Sequence, residues 1–382
     1  MDSTDYDYAI VGAGAAGMHL ALALIGDAHF DSKKILIIEK SKKDTNDRTW
    51  CFWEKEKGNW DAVVHQSWKS TEFVTPQKSQ KFDLGSYTYK MVKSIDFYAM
   101  AKQRLMAASN VTWVNDEVTS ISQGAPNSII TSTFTYEAYH VFDSQISADF
   151  HNEDNGATNI LQHFKGWFIE SPTPAFDKNS FIMMDFRQKH PDTTSFIYVL
   201  PLDAKRALLE FTFFSPELVS DDTYDQHLET YIRDILRLED YTINEIEQGV
   251  IPMSNYPFYK ESNEFITKIG TAGSWVKGSS GYSFKNAERY SAKIIDNLKR
   301  GEKPSKKLFK KRFKLYDSIF LDVLYHNNHL GERVFSDMYN KNDIEKILAF
   351  LDEETSILDE LKIIASFEWW PFTKALIKHM IP

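Results

Sequence analysis

Gly12, Gly14 and Gly17 are spaced G-x-G-x-x-G, and an acid, Glu39, follows the last of them by 22 residues. Each residue type answers a need of dinucleotide binding. The first glycine permits a tight turn, the second lets backbone approach a pyrophosphate, and the third lets helix and strand pack closely. The helix start attracts phosphate, and the acid is spaced to accept a ribose hydroxyl. On its own the motif serves FAD and NAD alike. A second glycine-rich turn at Gly270, Ala272 and Gly273 favours FAD, whose ribityl and isoalloxazine portions need later segments of chain.

Two carboxyls are candidates for acid–base work. Glu210 is embedded in Leu208-Leu209-Glu210-Phe211, and Asp185 follows two methionines in MMDF. A carboxyl in a dry apolar wall keeps its proton near neutral pH, because desolvation penalises the charged form. Strand alternation turns Glu210 away from Leu209 and Phe211. The alternative is an exposed polar position on a half-buried strand. The stretch NDRTWCFWEK, residues 46–55, holds Arg48 close behind the expected ribose acid and gathers Trp50, Phe52 and Trp53 around the only cysteine, Cys51. One cysteine makes no intramolecular disulfide and no cysteine metal site, so no metal is expected. Cys51 reads as a small packing residue.

These groups need elements to hold them. DYAIV (7–11), the glycine turn with an apolar helix ending at Gly26, and KILIIEK (34–40) read as β–α–β. Residues 95–108 are expected as a helix. VTWVNDEVTSIS and SIITSTFTYEAYHVFDS alternate like antiparallel strands. From Leu161 to Thr212 several β-rich runs suggest a separate antiparallel sheet. Residues 220–236 turn helical, 247–253 and 266–275 look like returning strands, and the chain from Ala287 onward is mostly helical. The order predicts an α/β nucleotide domain, 1–150 with 249–300, interrupted by a substrate domain at 151–248 and followed by a helical region at 301–382.

Composition bounds the partners. A net charge of −10 argues against nucleic acid. No run of about 18 apolar residues exists to span a bilayer. The acidic N-terminus lacks the basic and apolar regions of a signal peptide, so a cytoplasmic location is expected. KPSKKLFKKRFKLYDSIFLDVLY (303–325) has seven basic residues between Lys303 and Lys314, with apolar residues at helical spacing. It reads either as a basic amphipathic helix on anionic lipid or as a surface helix packed on the core. The tail that contains FEWWPF offers a second apolar docking element. Aromatics reach 14% of the chain, enough to line a large apolar pocket or simply to fill a core.

The blocks DRTWCFW, YVLPL…ALLEFT, GVIPM and GTAGSWVKGSSGYSF occur in this order after the nucleotide motif. In that order they resemble the lycopene cyclases of carotenoid biosynthesis, the bacterial and plant type related to FAD-dependent monooxygenases. The resemblance covers nearly the whole chain. It implies a Rossmann-like FAD-binding domain with an inserted antiparallel sheet for substrate. It also implies an isomerase of the intramolecular-lyase kind that converts lycopene through γ-carotene to β-carotene, with FAD in the reduced form and NADPH as electron donor. A membrane lipid surface and other enzymes of the carotenoid pathway are the implied partners, at the inner face of the cell membrane. The same blocks supply Gly281 as a further cofactor candidate and Tyr198 and Tyr282, with Trp50, Phe52 and Trp53, as pocket candidates. Glu210 and reduced flavin both stand as proton donors. A monooxygenase, a polyprenyl reductase or a non-catalytic carrier are the alternatives. Thr271 stands where relatives carry an acid for the ribityl chain, and Glu210 is the one acid of a motif with two in plants. FLDEET (350–355) mimics that plant motif by letter but lies late in an acidic helical region, and is read as a solvated loop or helix face.

Overall fold

The computed structural model describes residues 5–152 and 155–380, without the side chains of Trp369 and Met380. The buried strand β1 (Tyr6–Val11) leads through the glycine turn into α1 (Ala15–Ile25) and back to β2 (Ile35–Ile38). Gly12 sits at φ +91°, and a Cβ there would lie 2.1 Å from Ser144 Oγ. A Cβ on Gly17 would lie 2.0 Å from the Gly12 carbonyl oxygen, so close helix–strand packing excludes any larger residue.

Between β2 and the end of the first sheet come β3 (Thr49–Glu54), β4 (Val64–Trp68), β5 (Ser70–Val74), β6 (Ser79–Asp83) and β7 (Thr88–Lys93). Then follow α2 (Ser94–Ala107), β8 (Val111–Val114), β9 (Val118–Ser122), β10 (Asn127–Thr131) and β11 (Thr135–Asp143). The first sheet has the order β8-β2-β1-β11-β10-β9, with the later β17 (Ile266–Lys268) also on β11. Strand β8 pairs parallel to β2. The alternating VTWV stretch is therefore not the antiparallel strand expected; it extends the parallel sheet, and only β9 and β10 turn antiparallel. The strand β3, which carries the aromatic box, pairs with β7 in a small sheet of order β3-β7-β4.

The second large sheet adds β12 (Asn159–Glu170), β13 (Ser180–Asp185), β14 (Thr194–Pro201), β15 (Arg206–Ser215) and β16 (Thr242–Ser254), in the order β16-β12-β15-β14-β13-β5-β6. The expected boundary at residue 150 is not respected, because β5 and β6 come from the N-terminal segment and close this sheet at one edge. One face packs on α3 (Asp221–Thr230) through Leu209, Phe211 and Phe213. The other face, with Leu208 and Phe214, meets the C-terminal helices. The helix α4 (Phe284–Lys299) packs on α1 instead, and the helices over this face are α5 (Lys311–His326), α6 (Gly331–Lys341) and α7 (Ile344–Leu351), with α8 (Ile357–Ser366) and α9 (Trp369–Met380) packed on them.

The basic stretch at 303–325 becomes helical only from Lys311, and Phe313, Leu321 and Leu324 are buried. Its apolar face is core, which decides between the two readings of that stretch. The FLDEET segment is also corrected. Glu353 is 8% exposed and accepts a hydrogen bond from the buried Lys277 Nζ at 3.3 Å, and burial raises the Asp352 carboxyl to about 7.

Candidate active site

The helix α1 begins at Gly14 with no capping side chain and no acid in its first turn, so its positive end is open. A Cβ on Gly14 would meet nothing within 4 Å, and Gly14 and Gly17 both line a cavity of about 720 Å³. That is the cradle a pyrophosphate needs. Arg48, Lys43, Gly270 and Gly281 line the same space. Gln162 Oε1 and Ser280 Oγ are buried on its wall without a partner among the described residues. The donor set and the glycine opening fit a dinucleotide. Gly12, Glu39, Ala272 and Gly273 stand behind this surface. Glu39 is buried and accepts from the Ala13 backbone at 2.6 Å and from Ser41, so it braces the glycine turn from below. Gly273 allows close packing, since a Cβ would lie 2.4 Å from the Lys268 carbonyl oxygen. Thr271, in place of an acid, lies on the cavity wall.

Along β3 alternation puts Trp50 and Phe52 on one face and Cys51 and Trp53 on the other, and only the first residues of the strand, Thr49, Trp50 and Cys51, reach the cavity. Trp50 lines the cavity and packs edge-on against Phe97 and Tyr98. Phe52 stacks on Phe284 at 5.0 Å and is 2% exposed, and Trp53 lies edge-on to Tyr282 at 4.7 Å and is 3% exposed. Neither is part of the wall, so the expectation that they face substrate is corrected: they buttress the wall from behind. Cys51 does reach the cavity, and burial pushes its thiol up to about 12, so it stays neutral.

Glu210 lies at the centre of the second sheet on the cavity side. Its neighbour across β14 is Tyr198, and its neighbour across β12 is Gly166. Gly166 in turn faces Glu247 on β16. One row across the sheet therefore reads Tyr198, Glu210, Gly166, Glu247, and both acids line the cavity. Thr212 Oγ1 donates to Glu210 Oε1 and Thr49 Oγ1 donates to Glu247 Oε2, each at 2.6 Å. No cation forms an ion pair with either acid among the described residues. Desolvation, and then the charge of Glu247, push the Glu210 carboxyl well above the usual carboxylate range. Desolvation does the same to Glu247. Beside them the Tyr89 hydroxyl bridges those of Tyr198 (2.5 Å) and Tyr282 (2.9 Å), and all three phenols are pushed up by burial.

Asp185 is not part of this group. It is fully buried on the opposite face, chelated by the Arg187 guanidinium and bonded by the Tyr231 hydroxyl at 2.8 Å. Held by a guanidinium and a phenol on the face away from the cavity, Asp185 is a structural strut. Glu247 and Tyr89 were not singled out from the sequence. Glu247 opens the strand EQGVIPM and looks no different there from Glu245, which is half-buried and pairs with Lys93 at 2.9 Å. Beyond the carboxyls the cavity runs on between Phe313, Phe320, Phe335, Tyr339, Ile364 and Phe372, an apolar continuation walled by the C-terminal helices.

Residues 7–376 match the family model described as lycopene cyclase protein. A lycopene beta-cyclase of Paracoccus sp. (strain N81106 / MBIC 01143) is 24% identical over 302 residues, 76% of this chain and 72% of that protein. Among solved structures, a geranylgeranyl bacteriochlorophyll reductase-like protein from Thermoplasma acidophilum shares the fold with a TM-score of 0.63 at 13% identity, over 99% of each chain. An HpxO variant from Klebsiella pneumoniae in complex with FAD gives 0.65 at 12% identity, over 93% of this chain and 99% of that one. The flavin-dependent brominase Bmp2 gives 0.61 at 13%, over 99% of each. With nearly its whole length matched, the chain belongs to the lycopene cyclase family.

Proposed function

We propose that the protein is a flavin-dependent lycopene β-cyclase that closes β-ionone rings on lycopene without net redox change. Family membership supports the substrate class. The observation that carries the reading is Glu210, a carboxyl with no cationic partner in the wall of an apolar cavity that begins at a phosphate-binding helix start.

Ring closure needs a proton at the terminal double bond, a dry wall around the tertiary cation that results, and loss of a ring proton. Glu210 holds the first proton. Thr212 fixes its Oε1. Leu208, Met183 and Phe214 exclude the water that would quench the cation to an alcohol. Tyr198 and Trp50 offer ring faces for cation–π attraction, worth about 2 kcal/mol when desolvated. FAD fits the opening above Gly14, within reach of Arg48, and when bound and reduced supplies negative charge or a second proton carrier. NADPH would serve to reduce it.

Lycopene dissolves in the bilayer, so we place the protein at the inner face of the cell membrane. No described helix is long and apolar enough to cross one. The docking face shifts from the expected 303–325 stretch to α8 and α9. There Ile357, Leu358, Leu361 and Ile377 are exposed beside Lys362 and Lys374, and Leu376 reaches the cavity.

The test is anaerobic incubation with lycopene liposomes, FAD and NADPH in deuterated water. Ring products that carry deuterium, with NADPH use far below product formed, are expected. Stoichiometric NADPH use or an oxygenated product would replace this reading with a reductase or monooxygenase, and lycopene bound unchanged would leave a carrier.

A further inference from the structure

We propose that Glu210 and Glu247 work as a pair that shares one proton, Glu210 donating to the substrate and Glu247 receiving the proton lost from the closing ring. This rests on the cyclase reading above. The pair is made by strand order alone. The two acids lie on strands separated by β12, about 10 Å apart at the backbone, which is two interstrand spacings. The residue between them is Gly166. A Cβ there would stand 2.8 Å from Leu208 Cδ1, 3.2 Å from Glu247 Cγ and 3.6 Å from Glu210 Cβ, so the place where a side chain is missing is bordered by both acids and by the Leu208 methyl.

Each acid is held by one threonine hydroxyl, Thr212 or Thr49, through one oxygen. Among the described residues the other oxygen of each has no hydrogen-bond partner. Glu210 is buried and Glu247 half-buried, and two such neighbouring carboxyls without a paired cation do not both ionise readily, so at neutral pH the favoured state is one acid and one anion. The surrounding groups keep the titration to these two. Cys51 on β3, Tyr89 on β7, Tyr198 on β14 and Tyr282 before α4 are all pushed up by burial and stay neutral. Glu245 and Lys93 form an ion pair beside Glu247, and the positive charges of Lys93 and Arg48 both act on Glu247.

The reaction balances on this pair. The Glu210 O–H bond breaks and its proton forms a C–H bond with the π electrons of the terminal double bond. The next double bond supplies the pair for the ring C–C bond. A ring C–H bond then breaks, its electrons become the new ring double bond, and the proton passes to the Glu247 carboxylate. No electron is gained or lost. Return of that proton to Glu210 restores the starting state.

The test compares wild type, Glu210→Gln, Glu247→Gln, Glu247→Asp and Thr49→Val. Infrared titration of the FAD-loaded enzyme without lycopene reads the carboxyls directly. Wild type is expected to titrate in two separated steps and each Gln variant in one. Glu247→Gln should keep FAD bound, lower turnover about tenfold or more, and move the alkaline limb of the remaining activity down by about one pH unit, because the charge that raised Glu210 is gone. Glu247→Asp should recover part of the turnover. If Glu247→Gln and Thr49→Val lose activity equally with the limb unmoved, Glu247 only anchors β3 and the proposal falls. Cyclisation by an enzyme whose two carboxyls titrate independently also overturns the pair. Two-step titration in a protein that makes no rings would instead overturn the cyclase reading and leave proton sharing in place.

Discussion

The second sheet carries buried acids on both faces, and the two faces treat them in opposite ways. On the side of α3, Asp185 meets Arg187 and Tyr231, which supply charge and hydrogen bonds to the ionised form. On the cavity side Glu210 meets Tyr198, the bare backbone of Gly166 and, past it, another acid. Burial therefore comes with a guanidinium partner in one place and with no cation in the other. Burial alone does not make a catalytic acid; the charge of the nearest partner decides.

The sharpest break of this contrast is Glu210→Gln, which should keep FAD and fold while cyclisation falls roughly 10²–10⁴-fold, the usual worth of a general acid. Product analysis on lycopene liposomes checks it, and full activity would remove Glu210 from the acid role. Asp185→Asn should do the reverse. Thermal unfolding should show a loss of about 2 kcal/mol, less than for a fully buried pair because Arg187 is partly exposed. Turnover per folded molecule should not change; if it collapses while the fold holds, the two faces are not separate.

The pH dependence is next in size. The folded pKa of Glu210 lies above its unfolded value. Its contribution to stability is then fully present below the unfolded pKa and is lost as pH rises through the folded one. Activity and stability should both decline on the alkaline side, and Glu210→Gln should flatten that stability decline in denaturant titrations at pH 6 and 9. The smallest effect is assigned to Thr212→Val. Its hydroxyl favours the ionised form of Glu210, so its removal should raise the alkaline limb of the activity profile by about half a unit. A limb that moves down would mean the hydroxyl holds the acid form instead.

Much of the nucleotide end was legible because it depends on neighbours in sequence. The glycine turn, its flanking strands and the helix α1 stand where the spacing put them, and Gly14 and Gly17 reach the cavity as expected. The aromatic box was legible as a block but not in its directions. Trp50 and Phe52 share one face of β3, yet only Trp50, near the start of the strand, reaches the wall, because the cavity meets just that end of the strand. The basic stretch at 303–325 has the pattern of a lipid-bound helix and of a core helix alike, and only the packing of Leu321 and Leu324 against the sheet and of Phe313 against Phe350 distinguishes them.

By itself the sequence determined the local geometry: a phosphate-ready turn, and a strand on which Glu210 points away from Leu209 and Phe211. Both follow from backbone periods that reach only a few residues. Tertiary structure alone decided the company each acid keeps. Glu247 comes to Glu210 because β12 lies between their strands with a glycine at the crossing, and Asp185 is set on the other face with a cation. Electrostatic environment is a property of neighbours in space, and strand order, which residue types along the chain do not encode locally, sets those neighbours.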